Sequence, residues 1–179
     1  MVKHIPNILT LLNMTLGIMS ILILLQPTHP YKVTIVAAFI IFGGVIDFFD
    51  GFIARKLNAE TILGKQLDSF ADIITFGIAP IMLINYITHG SQPVVLMAVS
   101  SLAFMLAGAY RLARFNLNDF SKYFLGMPIT AAGIALVIFG FIYKLWVSNL
   151  IPILASITVN AVILGLAAMM ISKRKFRRF

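Results

Sequence analysis

Cysteine is absent from this chain, acidic residues number six in 179, and tryptophan occurs once. Without thiols there are no disulfides, no thiolate metal sites and no cysteine nucleophile. Charge of either sign is scarce at 11%, whereas 60% of the residues are hydrophobic and the mean hydropathy is +0.99. Those values lie outside the range of soluble globular domains and point to an integral membrane protein. Also missing is a small-residue cleavage site after Leu25. The first apolar run, although preceded by Lys3 and His4 in the manner of a signal sequence, is therefore expected to stay as a membrane helix.

Six apolar runs are long enough to cross a hydrocarbon core of about 30 Å. They cover roughly 8–25, 33–53, 67–87, 94–110, 129–146 and 150–171. The expected fold is all-α, an integral membrane bundle of six transmembrane helices, with residues 1–179 forming a single domain. Pro6, Pro93, Pro128 and Pro152 sit at or near helix starts, where a missing N–H costs little, and Pro27 and Pro30 fall in a loop. Pro80 lies well inside a run, which predicts a kink there.

Six spans put both termini on one side, and the basic residues say which. Lys3, Arg55, Lys56, Lys65, Arg111, Arg114, Lys122, Lys173, Arg174, Lys175, Arg177 and Arg178 fall on that side, against Lys32 and Lys144 on the other. By the positive-inside rule both termini, and the connection between the second and third helices, face the cytoplasm across the plasma membrane. The net charge of +8 does not signal nucleic-acid binding, for no fold or spacing supports it. The basic tail from Lys173 to Arg178 directly follows a membrane helix and reads as an anchor that attracts anionic headgroups.

Against this background four of the six acids crowd together as Asp47, Asp50, Asp68 and Asp72. At 3.6 residues per turn Asp47 and Asp50 share one helix face, as do Asp68 and Asp72. Two such helices packed antiparallel would gather four carboxylates in a low-dielectric setting, which is tolerable around cations or with altered protonation. Oxygen-only ligands suit Mg²⁺ or Mn²⁺. Small residues accompany the acids, with Gly43, Gly51 and Ala54 on the second helix and Gly64, Thr75 and Ala79 on the third. Gly43, Gly44 and Ala79 fit ordinary small-residue helix packing. A polar stripe of Asn7, Thr10, Asn13 and Gly17 marks the first helix, suited to ligand contact or to interhelical hydrogen bonding.

The spacing D-x2-D-G-x2-A-R-x8-G-x3-D-x3-D, running from Asp47 to Asp72, resembles at every fixed position the signature of the CDP-alcohol phosphatidyltransferases. The resemblance covers most of the chain. It implies two divalent ions, Mg²⁺ or Mn²⁺, held by Asp47, Asp50, Asp68 and Asp72, with Asp72 also the catalytic base. It further implies that Gly51, Ala54, Arg55 and Gly64 line the site for the cytidine and diphosphate, with Asn7 and Thr10 of the segment opening the first helix close by. A homodimer is implied as well. Clamping of attacking and leaving oxygens by two ions and deprotonation of an alcohol are what displacing CMP demands.

The run Leu67-Asp68-Ser69-Phe70-Ala71-Asp72, continuing through Thr75-Phe76-Gly77 to Ala79-Pro80, is similar to the bacterial and archaeal members that take serine as acceptor. Members using glycerol phosphate usually carry Pro after the third aspartate and Lys after the fourth, where this chain has Ser69 and Ile73. Arg111-Leu-Ala-Arg114-Phe-Asn116 and Gly126-Met-Pro128 are similar to segments of the same members. The implied partners are CDP-diacylglycerol, L-serine and the bilayer, and no nucleic acid. Arg111 and Arg114, three apart, offer guanidinium forks matched to the serine carboxylate, with Asn116 beside them. Positive-inside anchoring is the alternative role for both arginines. The apolar helices present the same kind of surface to diacylglycerol and to archaeol chains. Inositol phosphate or glycerol phosphate as acceptor, and a cation channel or transporter with the acids along its route, are the competing readings.

Overall fold

The computed structural model describes residues 5–27, 30–57, 61–88, 92–117, 123–145, 152–172 and 175–177. The apolar runs become helices α1 (Ile5–Leu25), α2 (Lys32–Lys56), α3 (Ile62–Asp72), α4 (Ala79–Ile87), α5 (Val94–Leu117), α6 (Ile129–Leu145) and α7 (Pro152–Ile171). α3 and α4 form one continuous span through a π-helical segment, Ile73–Ile78. Five spans are long and apolar enough to cross a membrane: Pro6–Leu25, Lys32–Lys56, Ile62–Ile87, Val94–Leu117 and Pro152–Ile171. α6, at 17 residues, is shorter, about 25 Å at 1.5 Å per residue. Its expected end at Trp146 lies outside the described residues.

Several helices reach further toward the basic side than their apolar runs. α3 begins at Ile62, ahead of the expected 67, because Thr61 caps it, its hydroxyl accepting from the Gly64 N–H at 3.0 Å. α5 runs on past Arg111 and Arg114 to Leu117. The all-α expectation needs one addition. Tyr123–Leu125 (β1) pairs antiparallel with Lys175–Arg177 (β2), with Phe124 opposite Phe176, so part of the basic tail is paired with the segment that leads into α6.

Between membrane helices there is no hydrophobic driving force from water, so close approach and polar links decide the packing. A Cβ on Gly133 of α6 would lie 2.5 Å from the Phe76 carbonyl oxygen, so α6 rides directly on the π segment. Gly17 of α1 likewise abuts Thr75, whose hydroxyl donates to the Asn13 carbonyl at 3.0 Å. Gly43 has the packing role its sequence context suggests, against Asn13 and Thr75. At the opposite end of the bundle Lys32 is buried and caps α1, its ammonium donating to Leu24 O at 3.2 Å and Gln26 O at 2.5 Å and lying 4.8 Å from the Tyr86 ring centroid. Ser100 and Asn160 join α5 to α7 at 2.6 Å. The irregularity expected at Pro80 takes the form of the π segment. Pro80 has no N–H for the Phe76 carbonyl, and the Ala79 N–H reaches five residues back to Ile74 O.

Candidate active site

On α2 the motif splits cleanly between two faces. Phe48, Phe49 and Phe52 are exposed on the outer face, whereas Asp50 is buried and Asp47 half-buried. Helical periodicity alone produces that split, since residues three apart share a face and those between them turn away.

The second and third spans meet as expected, but their packing lies deeper than the acid-bearing α3. α3 packs chiefly against α1, and α1 packs along α2. α2 meets the third span deeper, at α4 and the π segment. The two helices therefore diverge toward the basic side, with α1 as the wall between them, and the acids face each other across the cleft so formed.

One carboxylate oxygen from each of Asp47, Asp50 and Asp68 lies within 4.8 Å of the others. Asp72, one turn deeper than Asp68, is buried and contacts the Asp47 carboxyl, which also contacts Asp68. One Asp72 oxygen, Oδ1, is buried with no hydrogen-bond partner. Asp47 is thus the common neighbour of both acids on the third span.

Neutral donors steady two of the four. The Thr10 hydroxyl lies 2.9 Å from Asp50 Oδ2 and 3.0 Å from Pro6 O, and its single proton serves the carboxylate when that is ionised. Thr130, from the first turn of α6, donates to Asp47 Oδ2 at 3.3 Å. The sequence offered no signal for Thr130, which is 83 residues from its partner on a helix with no acid of its own.

An all-oxygen cluster of this size, with one oxygen left unpartnered in the interior, fits hard divalent ions such as Mg²⁺ or Mn²⁺. The nearby cation is Arg111 of α5, buried, within Coulomb range of Asp72, and with its Nε lacking a hydrogen-bond partner. One guanidinium against four carboxylates leaves an excess of negative charge that bound cations would balance.

At the mouth of the cleft the residues expected around the nucleotide fall into two groups. A Cβ on Gly51 would meet the Arg55 guanidinium at 3.5 Å, and Ala54 is half-buried between them in sequence. Across the cleft, a Cβ on Gly64 would lie 3.0 Å from Asn7 Oδ1, so the starts of α1 and α3 touch there. Arg55 itself is exposed and free of ion pairs among the described residues.

Arg111, Arg114 and Asn116 do not act as one set. Arg111 is buried within Coulomb range of Asp72, whereas Arg114 donates to Ile171 O at 3.4 Å and lies 5.8 Å from the Tyr110 ring, in the manner of a cation at the C-terminus of α7. The Asn116 amide donates to Ser69 Oγ at 2.8 Å, bridging α5 to α3 beside Asp68.

The model of the CDP-alcohol phosphatidyltransferase family matches residues 3–172. The chain belongs to that family. It is 38% identical over 179 residues to CDP-diacylglycerol–serine O-phosphatidyltransferase of Bacillus subtilis, covering 99% of this chain and 92% of the relative. It is 31% identical to the protein of the same name in Methanocaldococcus jannaschii, over 98% of this chain and 74% of the relative. Similarity extends to archaetidylserine synthase of Methanothermobacter thermautotrophicus, 32% identical over 73% of this chain and 55% of that protein.

Proposed function

We propose that this membrane enzyme transfers the phosphatidyl group of CDP-diacylglycerol to the hydroxyl of L-serine and releases CMP. The observation that carries the reading is the cleft itself: three carboxylates within 4.8 Å of one another, a fourth buried beside them, and a buried arginine within Coulomb range of that fourth. Relatives of that named activity over nearly the whole chain support the acceptor.

Asp47, Asp50 and Asp68, with Asp72, would hold the two divalent ions, which when bound neutralise charge on the diphosphate oxygens around the reacting phosphorus. The protein's own groups do the rest. Asp72 accepts the proton of the serine hydroxyl while that oxygen forms its bond to the lipid-linked phosphorus and the bond from phosphorus to the CMP oxygen breaks. Its depth suits this duty, one turn further in than Asp68 and closer to where lipid and nucleotide meet. Arg111 receives the serine carboxylate with a bidentate fork and keeps the alcohol directed at Asp72. Gly51, Ala54, Arg55, Gly64 and Asn7 form the walls for cytidine and diphosphate. Thr10, with its proton on Asp50, serves that site by fixing a metal ligand.

The twelve-to-two distribution of basic residues supports six spans in the plasma membrane, α6 included, with both termini and the cleft mouth in the cytoplasm, where a soluble nucleotide can leave. Family resemblance adds a homodimer.

The test is CMP release by the purified, detergent-solubilised protein with CDP-diacylglycerol and Mg²⁺ or Mn²⁺, comparing L-serine, glycerol 3-phosphate, inositol and inositol phosphate. Release with serine alone is expected. Release with another acceptor overturns the serine assignment and keeps the site, whereas silence with all of them overturns the enzymatic reading and favours an ion pathway.

A further inference from the structure

Asp47 holds a position unlike that of the other three acids. Its carboxyl contacts both Asp68 and Asp72, so its orientation decides how the two acid-bearing helices share whatever cations they bind. Among the described residues, the one non-acidic side chain hydrogen-bonded to it is Thr130. That threonine comes from a helix outside the acidic motif, and α6 is held at this place independently of the acids. Gly126, with φ at 77°, turns the chain against the Met170 carbonyl, and the Met127 N–H donates to Met169 O at 3.1 Å. Gly133, less than one turn along α6 from Thr130, rests on Phe76 of the π segment. Thr130 is therefore presented to Asp47 from a frame anchored at the end of α7 and on the third span.

We propose that Thr130 is a positioning residue for the divalent-ion site, its hydroxyl holding Asp47 Oδ2 so that the remaining lone pairs of that carboxylate face Asp68 and Asp72. The inference rests on the metal reading of the four aspartates and adds to it a residue that touches neither substrate nor ion. Groups that orient a ligating carboxylate change metal affinity by about 10- to 100-fold when removed. At 3.3 Å the bond is longer than usual for a hydroxyl and a carboxylate, which places Thr130 at the lower end of that range.

The experiment uses Thr130→Val and Thr130→Ser in the full chain. Valine keeps the branched shape, including the methyl that faces Gly44, and removes the hydroxyl, whereas serine keeps the hydroxyl and removes the methyl. Mn²⁺ binding is read without substrate, from loss of the free-ion signal in electron paramagnetic resonance, together with thermal unfolding in chelator. Expected are an affinity about tenfold weaker for Thr130→Val, near-wild-type affinity for Thr130→Ser, and comparable unfolding for all three in chelator. Wild-type affinity in the valine variant overturns the proposal. Equal loss in valine and serine variants also overturns it, because packing and not the hydroxyl would then be responsible. If Thr130→Val does not fold, Thr130→Ala takes its place with the same expected loss. Failure of the underlying metal reading is visible separately, as wild type that binds no Mn²⁺ or binds it equally well with Asp68→Asn, and the positioning role falls with it.

Discussion

Replacing Asp72 by asparagine removes the proposed base and leaves the shape of the site in place. Asp72 lies one turn below the three carboxylates that approach within 4.8 Å, which all remain after the change, although Asp47 loses a carboxylate neighbour. Mn²⁺ and the CDP-linked lipid are therefore expected still to bind, Mn²⁺ more weakly for the loss of one of its four carboxylates. Turnover is another matter, because a positioned base contributes roughly 10²- to 10⁴-fold. At about 1.4 kcal/mol per tenfold that is a barrier increase of about 3–5 kcal/mol. A second effect runs alongside it. Arg111 loses its carboxylate neighbour while its Nε already lacks a partner, so the variant should also melt at a lower temperature. The assay is single-turnover CMP release at saturating serine, paired with equilibrium binding of Mn²⁺ and of the CDP-lipid at a temperature where the variant stays folded. Undiminished single-turnover rates would refute the assignment of the base. Collapse of Mn²⁺ binding together with rate would show that Asp72 acts chiefly as a ligand.

Asp68→Asn takes one carboxylate out of the three-oxygen cluster and is expected to abolish turnover and weaken Mn²⁺ binding; wild-type rates would sink the two-ion mechanism. Arg111→Ala should raise the KM for serine by about 10- to 100-fold, the worth of a charge-assisted contact, and raise that for the CDP-lipid far less. An equal rise for both substrates would return Arg111 to a structural role beside Asp72. Gly133→Ala introduces a Cβ 2.5 Å from a backbone oxygen that cannot rotate away, so a loss of about 1–3 kcal/mol is expected. Unchanged unfolding in detergent would contradict the close approach of α6 to the π segment.

The acids are legible in the sequence because rarity and period act together: in so apolar a chain, Asp47 with Asp50 and Asp68 with Asp72 stand out, and their spacing assigns each pair to one helix face. Phe48, Phe49 and Phe52 confirm the reading from the opposite face, where they are exposed. The start of α3 is less legible, since Lys65 and Gln66 interrupt the apolar pattern yet continue the helix that Thr61 caps. The open cleft is not legible at all. Lipid-facing and helix-facing residues are both apolar in a membrane, so no pattern tells whether α2 and α3 touch each other or both touch α1. Nor does charge spacing separate Arg111 from Arg114, which sit three apart, the first buried within Coulomb range of Asp72 and the second bonded to the end of α7. The paired strands β1 and β2 are three residues each, too short to carry a period.

The π segment connects these observations. An α-helix turns about 100° per residue, so a hydrogen bond that reaches five residues back inserts one residue and rotates everything beyond it by about that angle. Below the insertion, Leu83 and Ile84 are fully buried in the apolar core; above it, Asp68 and Asp72 face the cleft. Within it Thr75, Phe76 and Gly77 are three consecutive buried residues, a run that one stripe of a surface helix could not hide. They are hidden because four helices converge there: α1 through Thr75 and Asn13, α2 through Gly43 on Thr75, α6 through Gly133 on Phe76, and α5 through Met105, whose sulfur lies 3.3 Å from where a Gly77 Cβ would be. The orientation of the third span is thus fixed at the π segment, where α2 also meets it through Gly43 on Thr75. Beyond that contact α2 and α3 part, and the acids line the cleft between them. A regular α-helix through Pro80 would turn Asp68 and Asp72 by about 100° away from Asp47 and Asp50. The irregularity beside Pro80 is what lets one span serve a dry core at one end and a four-carboxylate site at the other.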